Sequence, residues 1–413
     1  MKSVIIEPER KIPVESSCDV LVAGGGIAGI AAAMAAARGG KRVTLVEREY
    51  ALGGMATLGL VTIYLPLCDG EGSQLVFGIG EELLKLSIEH GAEANYPDAW
   101  LNGGSLEARK KTRYITQFNP HLFALRSEAL LLKLGVKILY GTLVCSVSKE
   151  DGAISHVIVE NKSGRSAISV ASVIDCTGDA DVCQLAGAKT VLHSGGNGLA
   201  SWYYYIQGGK VSLKMFGLAD VLPGRGPDDA GATDGRQYEA VKVESLDENL
   251  RFSGVDGDEL SRAVIAAHEK MFEDIGGFHA KDASYLPVTI STIPLVRMSR
   301  RLAGVFTMDD SGDKMFVKDS IGMTGDWRKK GPAYEIPYGT LYGDDVPNLL
   351  AAGRDISVTD SMWDITRVIP CCAVTGEAAG TAAAIGGDFA KINVAELQER
   401  LTAGGAKLHL EEL

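Results

Sequence analysis

The chain has 413 residues, 46% hydrophobic and 23% charged, which excludes disordered and fibrous classes and leaves room for two or three domains. Its 41 basic and 53 acidic residues give a net charge of −12, so no general affinity for nucleic acid or an anionic membrane is expected. Seven scattered cysteines without a C-x-x-C pair, and no apolar leader-like stretch at the start, predict reduced thiols and a cytoplasmic chain.

The first predicted element is a short apolar strand beginning at Asp19, which runs into Gly24-x-Gly26-x-x-Gly29 and a helix over Ile27–Arg38. In a dinucleotide-binding turn the first glycine allows the tight bend and the second lets the backbone approach a pyrophosphate. The third permits close helix–strand packing, and the phosphates rest on the positive end of the helix. A second strand over 42–47 ends in Glu47, at the spacing expected of a carboxylate that accepts the ribose hydroxyls, with Arg48 beside it. A carboxylate at that place disfavours the 2′-phosphate of NADP.

The next loop carries Gly53, Gly54, Met55, Ala56 and Thr57, and its small residues suit a backbone that passes close to a ligand. A helix over 80–90 follows, then a polar, proline-containing excursion over 92–104 and a basic cluster, Arg109-Lys-Lys-Thr-Arg113, available to an anionic ligand. A helix over 121–134 leads to a strand over 136–140 and to a three-stranded meander at 142–147, 156–160 and 167–170. A further apolar strand from 171 ends at Thr177-Gly178, where a peptide turn would lie beside the dinucleotide.

From about 190 to 333 the texture changes to aromatic and polar alternation at 201–206, a Gly-, Asp- and Pro-rich middle at 221–236, and an amphipathic helix over 257–274. This reads as a substrate cap. The chain then returns to the first domain through a strand leading to Gly353, Arg354 and Asp355, and through a small-residue helix containing Thr375, Gly376 and Ala378. The expected fold is therefore α/β, a Rossmann-like domain with a parallel sheet and a β-meander, interrupted by an α+β substrate domain. Its boundaries fall at 1–75, 76–112, 113–189, 190–333 and 334–413, with 76–112 a cap excursion and the first, third and fifth segments forming the nucleotide domain.

The order of these motifs, together with Arg297-Met-Ser-Arg300-Arg301, Glu335-Ile-Pro-Tyr338 and the Arg367…Gly380 segment, resembles the FAD-dependent oxidoreductases related to the flavin module of heterodisulfide reductase A. The resemblance covers nearly the whole chain and implies a glutathione-reductase-like FAD fold. It implies that Gly24, Gly26 and Gly29 hold the pyrophosphate, Glu47 the adenosine ribose, and Gly53, Gly54 and Thr57 the path of the flavin. Gly353 and Asp355 would meet the ribityl–phosphate region, and Gly376 and Ala378 the pyrimidine edge. No second G-x-G-x-x-G follows a strand, as a nicotinamide domain would require, and the cysteine-rich iron–sulfur segments of the larger reductase subunits are missing.

A flavin supplies the redox chemistry, so the protein's part is to place a substrate and move a proton. His193 and Tyr338 are the leading proton carriers; His121, His279, Tyr203 and Tyr204 are weaker candidates. Arg297 and Arg300 could clamp a carboxylate or phosphate, or form an ion-pair patch at the domain junction. Cys371-Cys372 fits a buried segment better than a redox pair. No metal site is expected. The activity expected is hydride transfer between bound FAD and a small organic molecule, with an electron partner that the sequence does not name and a possible homo-oligomeric state. Redox-neutral chemistry on FAD, or service as a flavin electron-transfer subunit, stays open.

Overall fold

The computed structural model describes residues 4–216 and 251–413, so the expected Gly-, Asp- and Pro-rich middle at 221–236 lies outside the described residues. Strand Val14–Ala23 enters the core with four consecutive fully buried residues at its end, the signature of a strand covered on both faces. It pairs in parallel with Val43–Val46 on one side and with Gly164–Asp175 on the other, and Val43–Val46 pairs in parallel with Lys137–Leu139. The meander strands Leu143–Glu150 and Ala153–Asn161 add antiparallel to the first half of Gly164–Asp175, while Leu349–Ala351 pairs in parallel with its last three residues.

One strand of 12 residues therefore replaces the two separate strands expected on either side of position 170. Its first half pairs with the meander and its last four residues are continuously buried between parallel neighbours, so one strand serves both parts of the sheet. The helices agree with expectation to within a few residues at their ends: Gly78–Ser87, Pro120–Lys133 and Gly257–His279.

The two small-residue helices, Ile27–Arg38 and Ile369–Ile385, lie directly against each other. A Cβ built at Gly376 would stand 2.3 Å from the carbonyl oxygen of Ala28, and one at Gly380 would stand 2.2 Å from that of Ala32. Glycine four residues apart thus lets one backbone press on the other, and both helices are almost wholly buried. Glu377, between the two glycines, points away from that contact and accepts the Ile79 amide at 2.9 Å, serving the uncapped start of helix Gly78–Ser87. Residues 78–87 are thereby tied to the nucleotide domain rather than standing out as an excursion.

The inserted domain is a three-stranded antiparallel sheet, Ser201–Gln207 between Lys210–Phe216 and Leu286–Ile290. Alternation along its middle strand sends Tyr203 to a core with Ala267 and Met271 of helix Gly257–His279. Trp202 and Tyr204 face the other way, into a cluster with Leu60 and Leu295 on which Met55, Val61 and Ile63 pack. The expected limit of this domain at 333 falls inside a hairpin, Ser320–Gly325 with Ala333–Pro337, whose Gly322 abuts Val374 of the last small-residue helix. The hairpin belongs with the nucleotide domain, because its inner face completes that helix's packing. Among the described residues, no single helix is long and apolar enough to cross a membrane.

Candidate active site

Gly24 has φ +99° and a Cβ there would stand 2.4 Å from the Cys176 carbonyl oxygen, so only glycine makes this bend. A Cβ at Gly29 would meet the Gly24 carbonyl at 1.9 Å, which locks the turn of the helix onto the strand end. Gly26 is different: its Cβ direction meets nothing within 4 Å. The first turn of helix Ile27–Arg38 has no side-chain cap, so its amides open onto the space beside Gly26. The Glu47 carboxylate lies at the tip of the next strand, accepting the amides of Gly25 at 2.7 Å and Glu49 at 2.8 Å, while burial pushes its pKa up.

These groups border a cavity of about 1030 Å³. Of the expected cofactor residues, Gly24, Gly26, Ile27, Ala28, Glu47, Arg48, Gly53, Gly54, Met55, Ala56, Thr177, Gly178, Gly353 and Arg354 all line it. The cavity continues under the cap sheet, where Trp202, Met215 and the 293–297 segment form a wall. It is closed on another side by Leu65, Lys111, Arg113, Ile115, Trp327 and Lys330. Val368 and Ile369, at the uncapped N-terminus of the last small-residue helix, also line it, as does Cys372.

Six expected cofactor residues stand behind this lining. Gly29 supports the turn, and the Thr57 hydroxyl donates to Leu52 O at 2.6 Å. Thr375 donates to Cys371 O and accepts the Gly353 amide, both at 3.0 Å. Gly376 and Ala378 are buried in helix Ile369–Ile385, with Gly376 against Ala28, so small residues read as ligand contacts serve as packing. Asp355 is fully buried; its Oδ2 accepts the Gly178 amide at 3.2 Å and its Oδ1 has no partner among the described residues. Burial and the neighbouring Asp175 and Asp179 carboxylates hold its pKa well above the usual carboxylate range.

The expected proton carriers are corrected in the same way. His193 packs edge-on to Trp363 with Nδ1 3.1 Å from Asp360, and the Tyr338 hydroxyl donates to Phe389 O at 3.1 Å inside the core. Neither lines the cavity, and no histidine or tyrosine does so among the described residues. Tyr203 bonds Tyr285, Tyr204 bonds Thr62 and Glu93, and His279 contacts Tyr285 O.

The two arginines separate. Arg297 lines the cavity, whereas Arg300 does not, being committed to the carbonyl of Asp179 at 2.9 Å and the carboxylate of Asp181 at 2.6 Å. Asp181 sits among other acids in a buried place that raises its pKa to about 6, burial being the larger cause. Arg354 bridges Gly178 O, Asp179 and the Val296 carbonyl, tying the cap to the nucleotide domain. Cys371 and Cys372 are free thiols; Cys371 is fully buried, and burial pushes Cys372 up to about 12, so it stays protonated and donates to Arg367 O.

Sequence reasoning missed Trp202, Trp327 and the Ile293–Leu295 wall, because their approach depends on how the cap folds back. Arg113 was visible as part of a basic cluster without a place.

The cradle suits an adenine dinucleotide: an empty Cβ direction at Gly26, a helix start without a side-chain cap, and Glu47 at the end of the next strand. Comparison with known structures gives distant likenesses. One is to a geranylgeranyl bacteriochlorophyll reductase-like protein from Thermoplasma acidophilum, at 13% identity and TM-score 0.45, over 94% of this chain and 82% of that one. Another is to L-proline dehydrogenase from P. horikoshii, at 13% identity and TM-score 0.43, over 96% and 100%. A third is to p-nitrophenol 4-monooxygenase from Pseudomonas putida DLL-E4, at 11% identity and TM-score 0.42, over 94% and 84%. No curated protein matches the sequence. The family model described as FAD dependent oxidoreductase matches residues 19–401, nearly the entire chain and every segment that borders the cavity, so the protein belongs to that family and its cofactor is FAD.

Proposed function

We propose that this oxidoreductase is a dehydrogenase or reductase that transfers hydride between bound FAD and a small organic substrate held beneath the cap sheet. The supporting observation is that a single cavity is lined by the dinucleotide cradle at one part and by Trp202, Met215 and Leu295 of the cap at another. When bound, FAD supplies hydride or single-electron transfer. The chain supplies position, exclusion of water and charge.

Gly24, Gly26 and the start of helix Ile27–Arg38 would hold the pyrophosphate, and Glu47 the ribose. Gly53, Gly54, Met55, Val368 and Ile369 would border the flavin, with the helix N-terminus at Ile369 favouring negative charge beside it. The apolar cap wall excludes water from the reacting carbon. No histidine or tyrosine lines the cavity among the described residues, whereas the carboxyl of Asp181, with a pKa raised to about 6, and the exposed Lys111 and Lys330 do, and these would be the groups that pass the proton accompanying hydride.

Anaerobic mixing of the purified flavoprotein with candidate organic reductants, followed by absorbance, tests the reading. Stoichiometric loss of the oxidised-flavin band with one substrate class is the expected result. Turnover with no net electron acceptor would sink hydride transfer as the overall reaction, and bleaching only by a partner protein would point to an electron-transfer subunit.

A further inference from the structure

We infer that the substrate is an organic anion, a carboxylate on an apolar skeleton, oriented by the indole N–H of Trp202 and drawn in by Lys111, Arg113 and Lys330. The inference deepens the functional reading above and rests on it.

Two independent observations meet in the cavity. Trp202 is only 7% exposed and lines the cavity, yet its Nε1 has no hydrogen-bond partner among the described residues. An indole N–H buried without an acceptor is costly, and such donors almost always have partners in folded proteins. Its neighbours, Leu60, Met215 and Leu295 with Met55, Val61 and Ile63 packed on them, are apolar and offer no acceptor side chain. A ligand oxygen placed in the cavity would supply one, and the same apolar cluster would receive the ligand's skeleton.

The second observation is charge. Arg328 and Arg367 on this side are matched by Asp326 and Asp364: Arg328 bonds Asp326 at 2.9 Å and lies 3.3 Å from Asp364, and Arg367 pairs with Asp364. These four cancel. Arg113 instead spends its terminal nitrogens on two backbone carbonyls, Trp327 O at 2.7 Å and Asp326 O at 3.1 Å, and its Nε is buried without a partner. Among the described residues, neither it nor Lys111 or Lys330 is paired with a carboxylate. The acids that do line the cavity lie elsewhere, Glu47 and Glu49 at the ribose strand end and Asp179 and Asp181 with Arg354 and Arg300. Three uncompensated cations on an apolar wall give a protein of net charge −12 a local field that favours an anion.

The test uses the FAD-loaded protein, titrated with benzoate, cyclohexanecarboxylate and octanoate, each beside its neutral amide. Tryptophan fluorescence and flavin absorbance give the readouts. At least one acid is expected to bind about tenfold or more tightly than its amide, with a preference that shrinks as salt rises. Trp202→Phe, which keeps an aromatic side chain but removes the indole N–H, should weaken that acid roughly tenfold at unchanged flavin content. The exposed pair Lys111→Gln with Lys330→Gln should reduce the acid preference and leave the amide unaffected. Equal binding of acid and amide in all three pairs overturns the proposal. So does an unchanged acid dissociation constant in either Trp202→Phe or the double lysine variant. Failure of the flavin assignment is seen separately, as missing flavin absorbance in the same sample, while the acid titration still proceeds on fluorescence.

Discussion

At Gly26 the backbone has ordinary dihedrals, φ −68° and ψ −174°, and nothing near its absent side chain, whereas at Gly29 a single methyl would collide with the peptide of Gly24. The two glycines of one motif therefore fail in different ways. Gly26→Ala should leave the stability of the cofactor-free protein within about 0.5 kcal/mol of wild type, yet weaken FAD binding at least tenfold by filling the approach to the pyrophosphate. Gly29→Ala should cost roughly 3 kcal/mol or more, because both colliding atoms are backbone. Urea midpoints of the apoproteins with flavin absorbance of the holoproteins distinguish the two. Equal loss of stability in both variants would contradict the division of labour.

At the scale of elements, the contact between Ile27–Arg38 and Ile369–Ile385 carries the core, and Glu377, turned away from it toward Ile79, has a carboxyl pKa raised from 4.5 to about 8, chiefly by burial. A carboxyl whose folded pKa lies above its unfolded value favours the folded state fully below about pH 4.5, and that contribution fades as pH climbs through 8. Stability should therefore fall across this interval by several kcal/mol, and Glu377→Gln, which keeps an acceptor for the Ile79 amide, should flatten the fall and raise stability above pH 8. Chemical denaturation at a series of pH values reads both; a Gln variant with the wild-type slope would remove Glu377 as the cause. A bulky residue at the glycine contact, Gly380→Val, should lower the melting temperature by many degrees, since the Ala32 carbonyl has nowhere to move.

These elements also show what could be read from residues alone. The place of the glycine turn, Glu47 and the Gly53-Gly54 loop along one cavity was legible because the strand–turn–helix geometry that carries them is local. Helix Ile369–Ile385 was legible as small and close-packed, but sequence could not say whether its glycines press on a ligand or on Ala28 and Ala32. His193 and Tyr338 misled because a lone polar ring in the core looks no different from one in a cavity. Trp202 and Arg113 acquire meaning only when the cap sheet and residues 111–115 come to face one space.

Across the whole molecule, the cavity is bordered by residues from Ala23 to Cys372, so FAD bound there would contact segments that the chain separates by hundreds of positions. Ligand that binds only the assembled form stabilises it by about 2.7 kcal/mol at 100 times its dissociation constant. Stripping FAD should accordingly lower the melting temperature by a few degrees or more, and re-addition should restore it in proportion to the logarithm of FAD concentration. A melting temperature indifferent to FAD would mean that the cofactor does not join these segments.

The strand Gly164–Asp175 holds Val14–Ala23 on one edge and Leu349–Ala351 on the other. During synthesis, the dinucleotide fingerprint therefore emerges from the ribosome more than 300 residues before the strand and helix that close its cradle. Such late, long-range closure is slow, and a chain released early would display its fingerprint helix with the Ala28–Ala32 surface uncovered. The cradle for FAD can thus close only once the chain through residue 385 has been made, so flavin would meet this protein late in its folding.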